Sequence, residues 1–345
     1  MLTLTSLADP APRERLHSNQ PERRRAAVLE ALEGADCHVQ RVAGSGSGLD
    51  TAARLGVVSP ELLDLLRTAH GFWAADSDRD EFFESPETAD GGGLVPYFFT
   101  RSRPRPSDHL YRRLAWHSTD TATPLFSDTA DVLEADAAAV CRAAELASAT
   151  PTANLFVLTT HPGHHAARER YGGYCFVNWA CLLVALLEAA GRKPFVVDVD
   201  HHAGDGTADM LRPEQFVSLH AAEDFPYLSE SEPWALPVPP GTDWAAYAPL
   251  LTQALRRRPA DSDVLVVSLG ADTLAGDPDA RPGHGMSFRT PDFGRMSRLL
   301  QEQAPGVQVL AVQEGGYNMA DVPQAVLAFV AGFEHGSRPR QAASM

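Results

Sequence analysis

The segment 198–206 reads Asp198-Val199-Asp200-His201-His202-Ala203-Gly204-Asp205-Gly206 and follows a short apolar run. Side chains alternate along an extended chain, so Asp198, Asp200 and His202 point the same way if the strand continues. Asp200 and His202, two apart, can share one metal ion. Asp272, which follows another apolar run at 263–269, can complete the set. Two carboxylates and one imidazole leave a position open for water, the pattern of a catalytic rather than a structural zinc. A metal held so lowers the pKa of water and polarises a carbonyl oxygen.

Hydrolysis at such a metal also needs a base for water and an acid for the leaving group. Histidine serves both near neutral pH. His164 and His165 stand in His161-Pro162-Gly163-His164-His165, directly after the apolar run 154–160. An imidazole in this role needs a carboxylate behind it to fix its tautomer. Asp198 and Asp205, unused by the metal, suit that task. Tyr317 follows Gly315-Gly316 after the run 307–313, where flexible glycines let a phenol swing in and donate to an oxyanion.

These residues have to be delivered by strand ends. The apolar runs 154–160, 194–199, 216–219, 263–269 and 307–313 suit strands buried on both faces. Helical patterns at 178–191, 243–258 and 290–303 separate most of them, which predicts a parallel α/β sheet with right-handed crossovers. Ligands in such sheets bind at the carboxyl ends of strands. Six of the 13 histidines fall between 161 and 220, beside those ends. Further helices are expected at 20–33, 59–73, 127–149 and 320–333, the second starting at Ser59-Pro60-Glu61. Residues 76–115 read as an elaborated loop region with an acidic stretch from Asp76 to Glu87, and 335–345 as a disordered tail. One domain over 1–334 accounts for the rest.

Composition narrows the field. The 345 residues are 44% hydrophobic and 21% charged, which excludes a disordered chain, a collagen-like repeat and a disulfide miniprotein. The 29 Lys+Arg against 45 Asp+Glu give a net charge of −16, a field that repels nucleic acid and anionic membranes. The longest apolar run, Ala180 to Leu187, is far short of the ~20 residues that span a bilayer. Four cysteines without a CxxC pair, and no signal-peptide pattern at the start, predict a soluble cytoplasmic protein.

In this order the residues resemble the histone deacetylase superfamily of metal-dependent amidohydrolases. The matching segments are PGHHA (162–166), GGYCFVN (172–178), DVDHHAGDGT (198–207), VSLH (217–220), GADTLAGDP (270–278) and EGGYN (314–318). Weaker similarity at 19–24, 120–124 and 236–242 is closer to bacterial acetylpolyamine amidohydrolases. The resemblance implies an arginase/deacetylase α/β fold with a central, mainly parallel eight-stranded sheet. It implies zinc, with iron(II) as the other metal these ligands suit, on Asp200, His202 and Asp272. It assigns proton transfer to His164 and His165, backed by Asp198 and Asp205, and carbonyl polarisation to Tyr317. It adds a buried potassium near Asp198, Asp200, His202, Ser218 and Leu219, and a narrow tunnel lined by Gly173 and Tyr174. Phe225 and Asp120 are further candidates for contact with substrate. Related polyamine enzymes narrow the tunnel with a loop packed across a dimer, a part open to 76–115. Two departures stand out: Ala203 replaces a usual histidine, and Trp179 a small polar residue.

The implied substrate is a small acylated amine, an acetylpolyamine first. A protein acetyl-lysine deacetylase, a natural-product tailoring deacetylase and a catalytically impaired acyl-amine binder are the other readings. An arginase-type enzyme fits the fold less well, because ligands for one transition metal are evident.

Overall fold

The computed structural model describes residues 1–12, 19–44, 46–85, 92–100, 108–228 and 232–335. Among them are eight strands: β1 (Leu2–Ser6), β2 (Val39–Val42), β3 (Leu155–Leu158), β4 (Pro194–Asp198), β5 (Phe216–Ala221), β6 (Ala235–Val238), β7 (Val264–Leu269) and β8 (Gln308–Gln313). They form one sheet in the order β2-β1-β3-β8-β7-β4-β5-β6, and every neighbouring pair is parallel. The expectation of a mainly parallel sheet is thereby sharpened to a wholly parallel one.

A sheet covered on both faces demands apolar side chains in both directions. The central strands comply and sort their residues by parity. Leu155, Val157, Val196, Val264, Val266, Leu310 and Val312 enter one core. Phe156, Leu158, Phe195, Val197, Leu265, Val267, Val309 and Ala311 enter the other. The helices are α1 (Pro21–Gly34), α2 (Gly48–Arg54), α3 (Pro60–Ala75), α4 (Leu110–His117), α5 (Thr129–Ala149), α6 (Trp179–Ala189), α7 (Asp205–Met210), α8 (Trp244–Leu255), α9 (Thr290–Gln303) and α10 (Val322–His335). Apolar residues of α2, α3, α5 and α6 fill the first core, and those of α1, α8, α9 and α10 the second. Ser59 caps α3 as its sequence suggests, its hydroxyl accepting from the Leu62 N–H at 3.2 Å. No helix among the described residues is long and apolar enough to cross a membrane.

Three strands escape a periodicity reading for local reasons. β1 alternates leucine with threonine, yet Thr3 and Thr5 are buried; Thr5 gives its hydroxyl proton to the Leu158 carbonyl at 2.9 Å. β2 is a four-residue edge strand, Val-Gln-Arg-Val, partly exposed along its length. β6 sits at the other edge and holds Pro237, which a central strand would reject. The irregular region expected at 76–115 needs correcting as well: Leu110–His117 is helical, too short to announce itself by pattern. Residues 86–91 and 101–107 of that region lie outside the described residues, as do 336–345 of the expected tail, while α10 continues to His335.

The order β3-β8-β7-β4 places four strands side by side at the centre, although the chain visits them as third, eighth, seventh and fourth. Their carboxyl ends lead into 161–165, 314–317, 272 and 200–205. Trp179, the first residue of α6, packs beneath the first of these turns. Its Nε1 donates to the His161 carbonyl at 3.0 Å, and a Cβ on Gly163 would stand 2.7 Å from the Trp179 nitrogen. The bulky ring is thus a floor for the histidine turn. Replacing Trp179 with Ala is expected to cost about 3–5 kcal/mol in urea unfolding. Trp179→Phe should recover part of that loss, since it restores volume but not the hydrogen bond.

Candidate active site

Asp200 and Asp272 are fully buried, and His202 nearly so. His202 Nδ1 stands 3.4 Å from Asp200 Oδ1 and 3.2 Å from Asp272 Oδ2. Donors arranged tetrahedrally around an ion with bonds of ~2.0–2.1 Å stand about 3.3 Å apart. Backbone N–H groups aim the carboxylates. Asp200 accepts from His202 N at 2.8 Å and from Gly315 N at 2.8 Å, and Asp272 Oδ1 accepts from His201 N at 2.9 Å. The three side chains form a group that can hold a metal ion.

Electrostatics asks for a cation here. Burial and the neighbouring Asp200 charge push Asp272 up to about 7. Burial also opposes ionisation of Asp200, but His164 and His202 hold it well below the usual carboxylate range. Asp198 and Glu314 add two more fully buried carboxyls nearby. Buried carboxylates this close ionise together only if positive charge joins them. Oxygen and imidazole donors suit a divalent transition ion.

The tandem histidines sit beside this group with their ring centroids 4.0 Å apart. His164 Nδ1 is 3.0 Å from Asp198 Oδ2, and its Nε2 is 3.7 Å from Asp200 Oδ1. His165 Nδ1 is 2.7 Å from Asp205 Oδ1. Their surroundings push them apart. Burial disfavours charge on His164, but Asp200 and Asp198 outweigh it and raise the ring to about 10. Burial and the positive charge on His164 lower His165 to about 4. A cation at Asp200 and Asp272 would offset part of the pull on His164.

Glycines give these groups room. A Cβ at Gly270 would collide with Asp200, and one at Gly315 with Asp272 and Asp200. Gly316 has φ +125° and turns the chain so that Tyr317 faces the cavity. The glycine pair therefore does more than free the phenol: it lets the end of β8 touch the carboxylates. Tyr317 N donates to Asp277 Oδ2 at 2.8 Å, and the ring meets Tyr174 at 5.6 Å.

These side chains open onto a cavity of about 360 Å³, within the range of small-molecule sites. His164, His165, His202 and Tyr317 line it, with Gly173, Tyr174, Phe225 and Asp120. A Cβ on Gly173 would stand 2.5 Å from the His165 ring, which explains the glycine. Asp120 is engaged within the chain: it accepts from Gly173 N, Ala122 N and the Thr123 hydroxyl. Of the residues expected around potassium, Asp198 and Ser218 are register partners on β4 and β5. The Leu219 side chain belongs to an apolar core, so the ligand atom this residue could offer is its carbonyl oxygen.

Sequence reasoning passed over Asp279, Asp224 and His201. Asp279 lines the cavity, accepts from the Tyr174 hydroxyl at 3.3 Å and comes within 4.0 Å of His202 Nε2. Its position, two residues after Asp277 and directly after the matching segment 270–278, is the available signal. His201 and Asp224 pair with each other at 2.9 Å, across 23 residues, and nothing local announces that.

Comparison with known proteins agrees with this geometry. Residues 21–333 match the histone deacetylase domain. The acetylpolyamine amidohydrolase of Mycoplana ramosa is 30% identical over 299 residues, covering 81% of this chain and 82% of the relative. Acetylpolyamine amidohydrolase 2 of Pseudomonas aeruginosa is 30% identical over 253 residues, covering 68% and 71%. The crystal structure of the acetylpolyamine aminohydrolase from Burkholderia pseudomallei superposes with a TM-score of 0.78 at 25% identity, over 97% of this chain and 99% of that one. The chain belongs to the histone deacetylase family, adopts its arginase/deacetylase α/β fold, and is a deacetylase-type amidohydrolase.

Proposed function

We propose that the protein is a zinc-dependent amidohydrolase that removes an acyl group, acetyl foremost, from a primary amine of an acetylpolyamine or similar small cation. The observation that carries this reading is the convergence of Asp200, His202 and Asp272 with the His164–His165 pair on one cavity. An ion on those three ligands supplies Lewis acidity for the acyl carbonyl and acidifies water.

The chain's own groups do the rest. His165, neutral and oriented by Asp205, has its Nε2 available to take a proton from the attacking water and pass it to the departing amine. His164, tied to Asp198, donates from its other nitrogen and balances negative charge. The Tyr317 hydroxyl donates to the oxygen that gains charge at the acyl carbon. Tyr174 and Phe225 flank a straight methylene chain and exclude water, and Asp279 offers a carboxylate to a second ammonium group. The names of the relatives point to polyamine substrates as well. Potassium near Asp198, Ser218 and the Leu219 carbonyl is part of the same proposal, as is one catalytic domain over 1–334. The four free cysteines fit a reducing cytoplasm.

The chain is also proposed to form a homodimer. Phe72, Phe82, Tyr97, Phe98 and Phe99 are exposed, and Phe82 stacks on Tyr97 with centroids 4.9 Å apart. Exposed apolar patches of this kind mark interfaces, and a second copy would cover the face beside the loop region. Sedimentation should give a dimer; a monomer at micromolar concentration removes this part.

Asp200→Ala is expected to abolish bound zinc, whereas Tyr317→Phe should keep it and lose about 10²–10³ in kcat. Metal analysis beside steady-state kinetics distinguishes the two. For substrate, kcat/KM should favour acetylputrescine and acetylspermidine over acetyl-lysine peptides by about tenfold or more, ~1.4 kcal/mol of discrimination. The opposite order would favour the protein deacetylase reading.

A further inference from the structure

The turn that carries His202 carries a second buried imidazole, His201. Its Nε2 donates to Asp224 Oδ2 at 2.9 Å, and its Nδ1 has no hydrogen-bond partner among the described residues. The ring meets His202 edge-on, with centroids 4.9 Å apart. An imidazole held by one hydrogen bond and buried against a metal ligand is a costly arrangement unless that bond does something.

Asp224 shows what it does. Its Oδ1 also accepts from Phe225 N at 2.7 Å, and its Oδ2 from Arg281 N at 2.9 Å. One buried carboxylate thus ties three loops at the sheet's carboxyl edge. The loop after β4 holds the ligand His202. The loop after β5 holds Phe225, whose ring meets His165 at 5.0 Å and His202 at 6.2 Å. The loop after β7 holds Asp279. The segment around Phe225 is not one that keeps its shape unaided. Glu223 and Tyr227 on either side have φ of +63° and +59°, a conformation that non-glycine residues seldom adopt and that persists where surrounding contacts impose it.

We propose that His201 and Asp224 are positioning residues for this site: together they lock Phe225 and Asp279 to the metal-ligand turn and so set how closely the cavity grips a linear aliphatic chain. His201 acts on the cavity through other residues, and Asp224 reaches the cavity wall with both its oxygens already engaged by His201 and backbone N–H groups. The metal-ligating carboxylates are aimed by backbone N–H groups, that of His201 among them, which a side-chain substitution leaves in place. The proposal rests on reading the cavity as the channel for an acylated amine, so its test separates wall from metal.

Two metal-chelating probes serve. Acetohydroxamate reaches only the metal end, whereas hexanohydroxamate also runs along the walls. Asp224→Asn and His201→Gln in the zinc-loaded protein should each weaken hexanohydroxamate about tenfold, with acetohydroxamate changed by less than about twofold, in titration calorimetry. With an acetylated amine as substrate, KM should rise more than kcat falls. The double variant should be no worse than the worse single, because one bond is broken once. Equal losses for both probes, additive losses in the double variant, or no loss in a zinc-loaded Asp224→Asn protein would each overturn the proposal. Wild-type protein that binds neither probe would overturn the channel reading itself, and the proposal with it.

Discussion

Four carboxyl groups, Asp198, Asp200, Asp272 and Glu314, are buried together at the ends of three adjoining strands, and their partners are imidazoles and backbone N–H groups. Such a concentration of acid is costly unless hydrogen bonds and positive charge are drawn in, and here one oxygen, Glu314 Oε1, has no hydrogen-bond partner among the described residues. Much of the local sequence follows from that constraint. Gly204, Gly270 and Gly315 stand where a Cβ would strike Asp198, Asp200 and Asp272 respectively. Glu314 Oε2 accepts from Gly163 N at 2.6 Å and His164 N at 3.1 Å, so the end of β8 fixes the histidine turn after β3. The sheet order makes this possible, because β8 and β7 are inserted between β3 and β4.

The same cluster explains how two adjacent histidines acquire different chemistry. His164 leans on Asp198 and Asp200, deep in the acidic group. His165 is turned towards Asp205, whose charge is already shared with Arg170 at 3.2 Å. One ring is therefore drawn towards the charged form and the other towards the neutral form, so the two can carry different duties in proton transfer. Burial alone would have pushed both rings the same way.

Much of the site was legible because its residues follow long apolar runs. Strand ends in a parallel sheet are places where side chains with chemistry have to appear, and 161–165, 198–205, 272 and 314–317 all do. The ends of the sheet were harder. Thr3 and Thr5 read as polar but are buried, and Pro237 speaks against a strand until its edge position is known. Ala203 was readable as a lost histidine, but the three-dimensional meaning of His201 was not. A pair separated by 23 residues, joined across two loops, leaves no periodic trace. The glycines of 315–316 suggest freedom for Tyr317 in the sequence, but Gly315 is demanded by close approach to Asp272 and Asp200.

The acidic character of the chain also takes on a different meaning. The acidic stretch beginning at Asp76 is a place where carboxylates could attract cationic substrates. Asp76 accepts from its own Asp78 N at 3.0 Å, Asp80 from Phe82 N at 3.0 Å, and Glu84 from Gly92 N at 3.0 Å. These are turn-forming and capping bonds, the ordinary work of such side chains in loops. Asp120 and Asp224 line the cavity but spend their oxygens on backbone N–H groups and on the side chains of Thr123 and His201. Asp279 differs, because a phenol is its hydrogen-bond partner within the cavity and its second oxygen faces His202. A net charge of −16 raises the local concentration of any cation, but discrimination between amines has to come from a carboxylate at a fixed distance from the reacting carbonyl. Under the proposed reading of this chain that argument converges on Asp279, and on whatever keeps its loop in place.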